Sequence, residues 1–124
     1  MHALKVAMDG NPFIGIFGKT NDEITLLPRS APLKVRRACE EALGTRIVEA
    51  SIVDSNIIGL FCALNSSGIV LPPNATRSEI SEIKKLGLRC HVLKDKRTAV
   101  GNNIVSNDNG ALLNPGISGR EARA

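Results

Sequence analysis

Apolar positions along the chain fall into short runs separated by polar turns, and the runs are regularly spaced. Residues 3–8, Ala-Leu-Lys-Val-Ala-Met, predict a short strand, with Asp9-Gly10-Asn11-Pro12 as the turn after it. Phe13 to Phe17 reads as a strand, Gly18 to Glu23 as a polar turn and Ile24 to Leu27 as the returning strand. Ser30 is placed to cap a helix, with Pro32 in its first turn. Val35, Ala38, Cys39 and Ala42 follow at helical spacing, one apolar stripe that Gly44 ends. A connecting strand, Arg46 to Ile52, leads to Ile57-Ile58-Gly59-Leu60-Phe61-Cys62, a near-continuous apolar run that predicts a strand buried on both faces. Asn65-Ser66-Ser67-Gly68 turns the chain, with Gly68 expected to supply a positive φ. Thr76-Arg77-Ser78-Glu79 is a capping box; its helix carries Ile80, Ile83 and Leu86 inward and stops at Gly87. Leu88 to Leu93 is the next connecting strand.

The pattern then starts a third time. Gly15, Gly59 and Gly101 lie 44 and then 42 residues apart, each preceded by Ile or Val and each followed six places later by asparagine: Asn21, Asn65, Asn107. Leu26-Leu27, Val70-Leu71 and Leu112-Leu113 come next, each run ending at or beside Pro28, Pro72 or Pro115. A period in this range indicates an array or propeller of similar units. The expectation is therefore a single α/β (α+β) domain over 1–124, with repeats at about 10–53, 54–95 and 96–124. Ser118-Gly119-Arg120-Glu121 is a second capping box, three residues from the last residue, and one isolated turn cannot offset its nucleation cost. We expect the third repeat to be truncated, in the gene or in the expressed chain. An array cut this way exposes strand edges and apolar faces, so self-association through exposed repeat edges is expected.

Composition narrows the partners more than the fold. With no Trp or Tyr and three Phe, the core must be built from Ile, Leu, Val and Ala. A net charge of +4 favours an acidic partner such as RNA without amounting to a polybasic tail. The densest basic clusters are Lys34, Arg36 and Arg37, which fit a solvated helix face, and Lys94, Lys96 and Arg97. Three cysteines with no short-spaced pair suggest neither a disulfide framework nor a zinc knuckle, and reduced cytosolic thiols are the default. The N-terminus lacks a signal-peptide core and no run approaches membrane-spanning length, so a cytoplasmic protein with no membrane partner is expected.

With the repeat in view, the chain resembles the archaeal and eukaryotic translation initiation factor 6 family, the ribosome anti-association factors. The likeness is carried by Ala50-Ser51-Ile52 leading into Ile57-Ile58-Gly59, by Asn65 with Gly68-Ile69-Val70-Leu71-Pro72, and by Thr98-Ala99-Val100-Gly101-Asn102 with Ser106-Asn107-Asp108 and Leu112-Leu113-Asn114-Pro115. Phe13-Ile14-Gly15 with Thr20-Asn21 and Leu26-Leu27-Pro28 fits as well. The resemblance implies the pentein fold, a propeller-like ring of five strand-turn-strand-helix units, of which this chain holds about two and a half. It also implies a protein that docks on the large ribosomal subunit, contacts a ribosomal protein and ribosomal RNA, keeps the small subunit away and serves large-subunit biogenesis. No catalytic residue, metal or cofactor is implied.

For the contact surface the candidates are Asn102, Asn103, Lys96, Arg97, Asn65 and Asn107. Asn65 and Asn107 share an offset with Asn21, and asparagine suits turns, so a structural role competes with a contact role. Asn102 stands where the earlier repeats have Ile16 and Leu60, so either a partner contact or a turn-stabilising hydrogen bond has replaced packing there. Ordinary solvent exposure is the plain alternative for Lys96, Arg97 and Asn103.

The rival reading is an enzyme, since guanidine-modifying hydrolases and amidinotransferases use the same five-unit fold with a cysteine nucleophile. Such a nucleophile needs a low-pKa thiolate beside a base. Cys39 and Cys62 sit inside apolar patterns, and Cys90 has only the adjacent His91, which a strand would point to the opposite face. Core packing is the better account of all three. A third reading is a truncated assembly module that no longer binds a ribosome.

Overall fold

The computed structural model describes residues 3–124. Strand β1 (Lys19–Thr20) pairs antiparallel with β2 (Ile24–Pro28). Helix α1 (Leu33–Leu43) is the crossover that lets β3 (Arg46–Ala50) return parallel to β2, giving the order β1-β2-β3. After a single turn of helix, α2 (Ile58–Phe61), the arrangement recurs. Strand β4 (Ala63–Leu64) pairs antiparallel with β5 (Gly68–Leu71), α3 (Arg77–Lys84) crosses over, and β6 (Arg89–Val92) returns parallel to β5. A further helical turn, α4 (Val100–Asn103), leads to the antiparallel hairpin β7 (Ile104–Ser106) and β8 (Ala111–Leu113), and α5 (Gly119–Arg123) follows. The described residues thus make a mixed α/β fold of three small sheets, with no closed barrel.

The helix signals are partly as read. Thr76 and Glu79 form both halves of the capping box on α3, and Gly44 ends α1 in the left-handed region at φ 65°. Ser30 does not cap α1. The helix begins at Leu33, after Pro32, whose ψ of 150° is extended rather than helical, and no side chain caps it.

Three segments read as strands are helical turns instead. Phe13 to Phe17 holds a 3₁₀ turn at Ile14–Ile16, Ile57 to Cys62 holds α2, and the stretch after Ala99 opens with α4. Their glycines explain why. A Cβ on Gly59 would overlap the carbonyl oxygen of Gly15 and lie 2.7 Å from that of Gly18; one on Gly101 would overlap the oxygen of Gly59 and lie 2.9 Å from that of Cys62. The three turns stack backbone on backbone, and Ile58 and Val100 in the second and third turns are buried against the neighbouring sheets rather than by strand pairing.

Two smaller expectations also change. Residues 3–8 form no strand; Met8 makes one bridge to Asn11, and Ile52 makes its counterpart to Ser55. Gly68 is not at a positive φ; it is needed because β6 lies close, a Cβ there coming 2.6 Å from the Arg89 oxygen. The polar turn from Gly18 is shorter than read, since Lys19 and Thr20 pair with β2.

The core lies between the sheets as much as under the helices. Ile24, Leu26 and Ile52 meet Ile58, Cys62 and Leu71 at the first junction, and Ala63 and Leu93 meet Val100, Ile104 and Ile117 at the second. Met8, Leu27, Ala31 and Val35 pack beneath α1. Each fully buried Leu or Ile contributes roughly 1.5–3 kcal/mol, so the junctions hold the three sheets as one body.

Candidate functional site

Three lines of contact cross the junctions, and they determine which side chains remain for a partner. The first is the glycine column. At its edge a shallow groove of about 290 Å³ is lined by Phe13, Ile16, Lys19, Leu60 and Asn102. Asn102 is exposed, while Ile16 and Leu60, at the matching place in the earlier turns, are half-buried. The position never was a buried strand site, which is why an amide fits there without internal partners.

The second line is an asparagine ladder. Asn21 donates its side-chain amide to the Asn65 carbonyl at 3.1 Å, and Asn65 donates its own to the Asn107 carbonyl at 3.2 Å. The side-chain oxygen of each closes its own turn, accepting from Glu23 and Ile24, from Ser67 and Gly68, and from Asn109 and Gly110 respectively. Beside it, Ser66 donates its amide and hydroxyl to the Asp108 carboxylate, both at 2.8 Å, and these bonds hold that carboxyl below its usual range.

The third line consists of two buried glutamates that sequence reasoning assigned only to helix capping. Glu79 accepts from the amides of Val53, Asp54 and Thr76 and from the Ser51 hydroxyl. Burial pushes its carboxyl up, but these four donors together outweigh that and hold it low. Val53 and Asp54 have φ of 55° and 50°, a strained geometry for a β-branched residue, and Glu79 binds both of their amides. Glu121 has the Ser118 hydroxyl on its own amide, as a capping helix start requires. Its carboxylate does not reach back to Ser118; it accepts from the Lys94 amide and lies 2.9 Å from His91 Nε2. The Lys94 amide, then the His91 ring, lowers its pKa. The signal for both roles was present: Glu79 and Glu121 lie 42 residues apart, like Gly59 and Gly101.

The six candidate residues therefore separate. Asn102 and Lys96 are exposed, and among the described residues neither side chain is hydrogen-bonded. Asn103 is internal: its amide donates to the Ala99 carbonyl and its oxygen accepts from Asn114, each at 2.8 Å. Arg97 bridges Asp95 at 2.7 Å and the Gly116 carbonyl at 3.3 Å. Asn65 is committed to its turn and the ladder. Asn107 is exposed and closes its turn through its oxygen. Of the other basic residues, Arg36 is tied to Glu49 and to the Ala31 and Arg29 carbonyls, while Lys34 and Arg37 face solvent. Phe13, read as part of a strand, and Lys19, read as part of a polar turn, share the groove with Asn102 and were not singled out in the sequence.

Chemistry finds little support in the cysteines. Burial pushes the Cys62 thiol up to about 12, against a smaller opposing pull from Lys19, and also raises Cys39 and Cys90. A thiolate nucleophile needs a shift the other way. Among the described residues no group of three or more His, Cys, Asp or Glu side chains could hold a metal, and no helix is long and apolar enough to cross a membrane.

Against known proteins, a family model described as the eIF-6 family matches residues 3–124. Similar curated proteins are named translation initiation factor 6. The one from Methanopyrus kandleri is 32% identical over 94% of this chain and 53% of its own length. The one from Pyrococcus furiosus is 35% identical over 99% of this chain and 57% of its own. For Nitrosopumilus maritimus the figures are 35%, 95% and 54%. The chain thus spans about half the length of the relatives it matches.

Proposed function

The chain belongs to the eIF-6 family, and from that membership we propose that it acts as a translation initiation factor 6-like protein. On this reading it docks on the large ribosomal subunit, sterically keeps the small subunit away and takes part in large-subunit biogenesis in the cytoplasm. The observation that carries the reading is the family match across residues 3–124. The physical requirements of the task are modest: a body stiff enough to block, and a surface that adheres. The glycine column, the asparagine ladder and the buried glutamates supply stiffness. A net charge of +4 with exposed Lys96 and Asn102 supports contact with ribosomal RNA and a ribosomal protein.

The architecture that goes with this reading is about two and a half of the five units of a pentein-type propeller, divided at about 10–53, 54–95 and 96–124. Lys96 and Asn102 make the direct contacts, together with the outward amide of Asn107. Arg97, Asn103 and Asn65 hold the backbone beneath them. The raised thiol pKa values and the relatives' names favour this over a cysteine hydrolase.

Co-sedimentation of the 124-residue chain with purified archaeal large subunits on a sucrose gradient tests it. Binding is expected, weakening as salt rises, with Lys96→Ala reducing the salt slope by about one and Asn102→Ala weakening binding at all salt concentrations. Small subunits added afterwards should fail to join loaded large subunits. A chain that stays at the top of the gradient, though folded by circular dichroism, would overturn the proposal.

A further inference from the structure

The chain has one Asn-Gly pair, Asn109-Gly110, and it lies in the loop of residues 107–110 between β7 and β8. The side-chain carbonyl of an asparagine is open to attack by the backbone nitrogen of the residue that follows. Glycine leaves that nitrogen unshielded, because it has no Cβ. Asn109 is exposed, and among the described residues its side chain makes no hydrogen bond. The exposure belongs to the tip of the turn. Glu23 and Ser67, at the same place in the first and second hairpins, are exposed although a further unit packs against each of those sheets.

Every other asparagine of the described residues lacks a requirement. Asn21 and Asn65 have both ends of the side-chain amide engaged, in the turn and in the ladder. Asn103 and Asn114 are bonded to each other. Asn11 precedes Pro12, which has no N–H to lose. Asn56, Asn74 and Asn102 are exposed, but they precede Ile57, Ala75 and Asn103, whose Cβ atoms shield the attacking nitrogen. Asn107 precedes Asp108 and has its oxygen occupied.

That occupied oxygen restrains the neighbouring site. The Gly110 amide, the nitrogen that would attack, donates to Asn107 Oδ1 at 3.1 Å, and the Asn109 amide donates to the same oxygen at 2.8 Å. An acceptor in front of an N–H opposes its deprotonation and aims it away from the adjacent side chain. The bond is a feature of the repeated unit: Ile24 and Gly68 donate to Asn21 and Asn65 in the same way, at 2.8 and 3.0 Å.

We propose that Asn109 is a deamidation site and that the Asn107 side chain is the lock that sets its rate. Once the turn opens, the Gly110 nitrogen gives its proton to solvent base and bonds to Asn109 Cγ. The Cγ–Nδ2 bond breaks, ammonia leaves with a proton from solvent, and a cyclic imide remains. Water opens the ring at Cγ to give aspartate, or at the backbone carbonyl carbon to give isoaspartate. Isoaspartate runs the main chain through Cβ, which lengthens the loop, draws the Gly110 amide off Asn107 and places a new carboxylate beside Asp108. That carboxylate is of the class methylated by S-adenosylmethionine-dependent carboxyl methyltransferases. The inference is independent of the ribosomal reading.

Incubation of the folded chain at neutral and mildly alkaline pH reads the outcome, by peptide mass mapping and by methyl transfer from labelled S-adenosylmethionine with an isoaspartyl methyltransferase. Asn109 is expected to convert before any other asparagine, faster as hydroxide rises, and more slowly in the folded chain than in urea. Asn107→Ala removes the acceptor but keeps the backbone carbonyl that Asn65 binds. With the circular dichroism spectrum retained, it should speed folded-state conversion roughly fivefold, the contribution of one hydrogen bond, and change nothing in urea. Asn107→Asp offers an oxygen to the same two amides and should stay as slow as wild type. Conversion that begins at another asparagine, a folded wild type that converts as fast as in urea, or equal folded-state rates for wild type and Asn107→Ala would overturn the proposal.

Discussion

Glu79 concentrates most of what one residue does for this fold. Each of its oxygens takes two donors: Oε1 the amides of Val53 and Thr76, Oε2 the Asp54 amide and the Ser51 hydroxyl. Glu79→Gln keeps the shape but turns an NH₂ group toward donors, leaving buried amides unpaired beside a strained turn. We expect it to cost about 2 kcal/mol in urea unfolding at neutral pH. The cost should depend on pH in one direction. Because the carboxyl is held below its ordinary value of 4.5, its stabilisation is complete above that value and is lost as pH falls through the lower folded-state value. The gap between wild type and Glu79→Gln should therefore close on acidification; a gap constant from pH 7 to pH 3 would refute the assignment. At this scale the sequence was half-legible. A capping box can be read from Thr76 and Glu79, because its partners are three residues apart. That the same carboxylate also holds Val53 and Asp54 depends on a fold that brings β3's exit against the start of α3, which local spacing does not encode.

Among elements, the misread segments are the informative ones. Ile57 to Cys62 is apolar throughout, and such a run marks burial on every side whether the backbone is extended or coiled. What decides the geometry is Gly59, whose bare backbone has to meet the Gly15 carbonyl, and a helical turn presents it there. The 44- and 42-residue spacing of the glycines was visible in the sequence; that they touch one another was not, because spacing reveals equivalence rather than contact. The same logic separates otherwise identical substitutions. Gly59→Ala puts a methyl group into the Gly15 oxygen and should destabilise the chain by about 1–3 kcal/mol or more, as overpacking against backbone does. A methyl group on Gly15 meets nothing within 4 Å, so Gly15→Ala should be neutral within about 0.5 kcal/mol. Equal melting temperatures for the two variants would show that the column is not a packed contact.

For the whole molecule, cohesion is passed from sheet to sheet, so stability should fall away from the best-covered one. The central sheet is packed on both faces, by β2 and Ile52 on one side and by α4 and β7 on the other, while the last hairpin is packed on one face and leaves Leu112 and Val105 in solvent. Sheets 1 and 2 have a parallel third strand, whereas β8 has β7 alone among the described residues. Opening of the last hairpin exposes little apolar surface that is not already wet, so it should open without the rest. Amide hydrogen exchange on a dilute sample is expected to be slowest at β5 and at the β2–β3 pair and fastest in β7 and β8, with the order set by position rather than by local helix or strand propensity. Uniform exchange across the three sheets would mean that they unfold as one unit and that the junctions are as strong as the sheets they join.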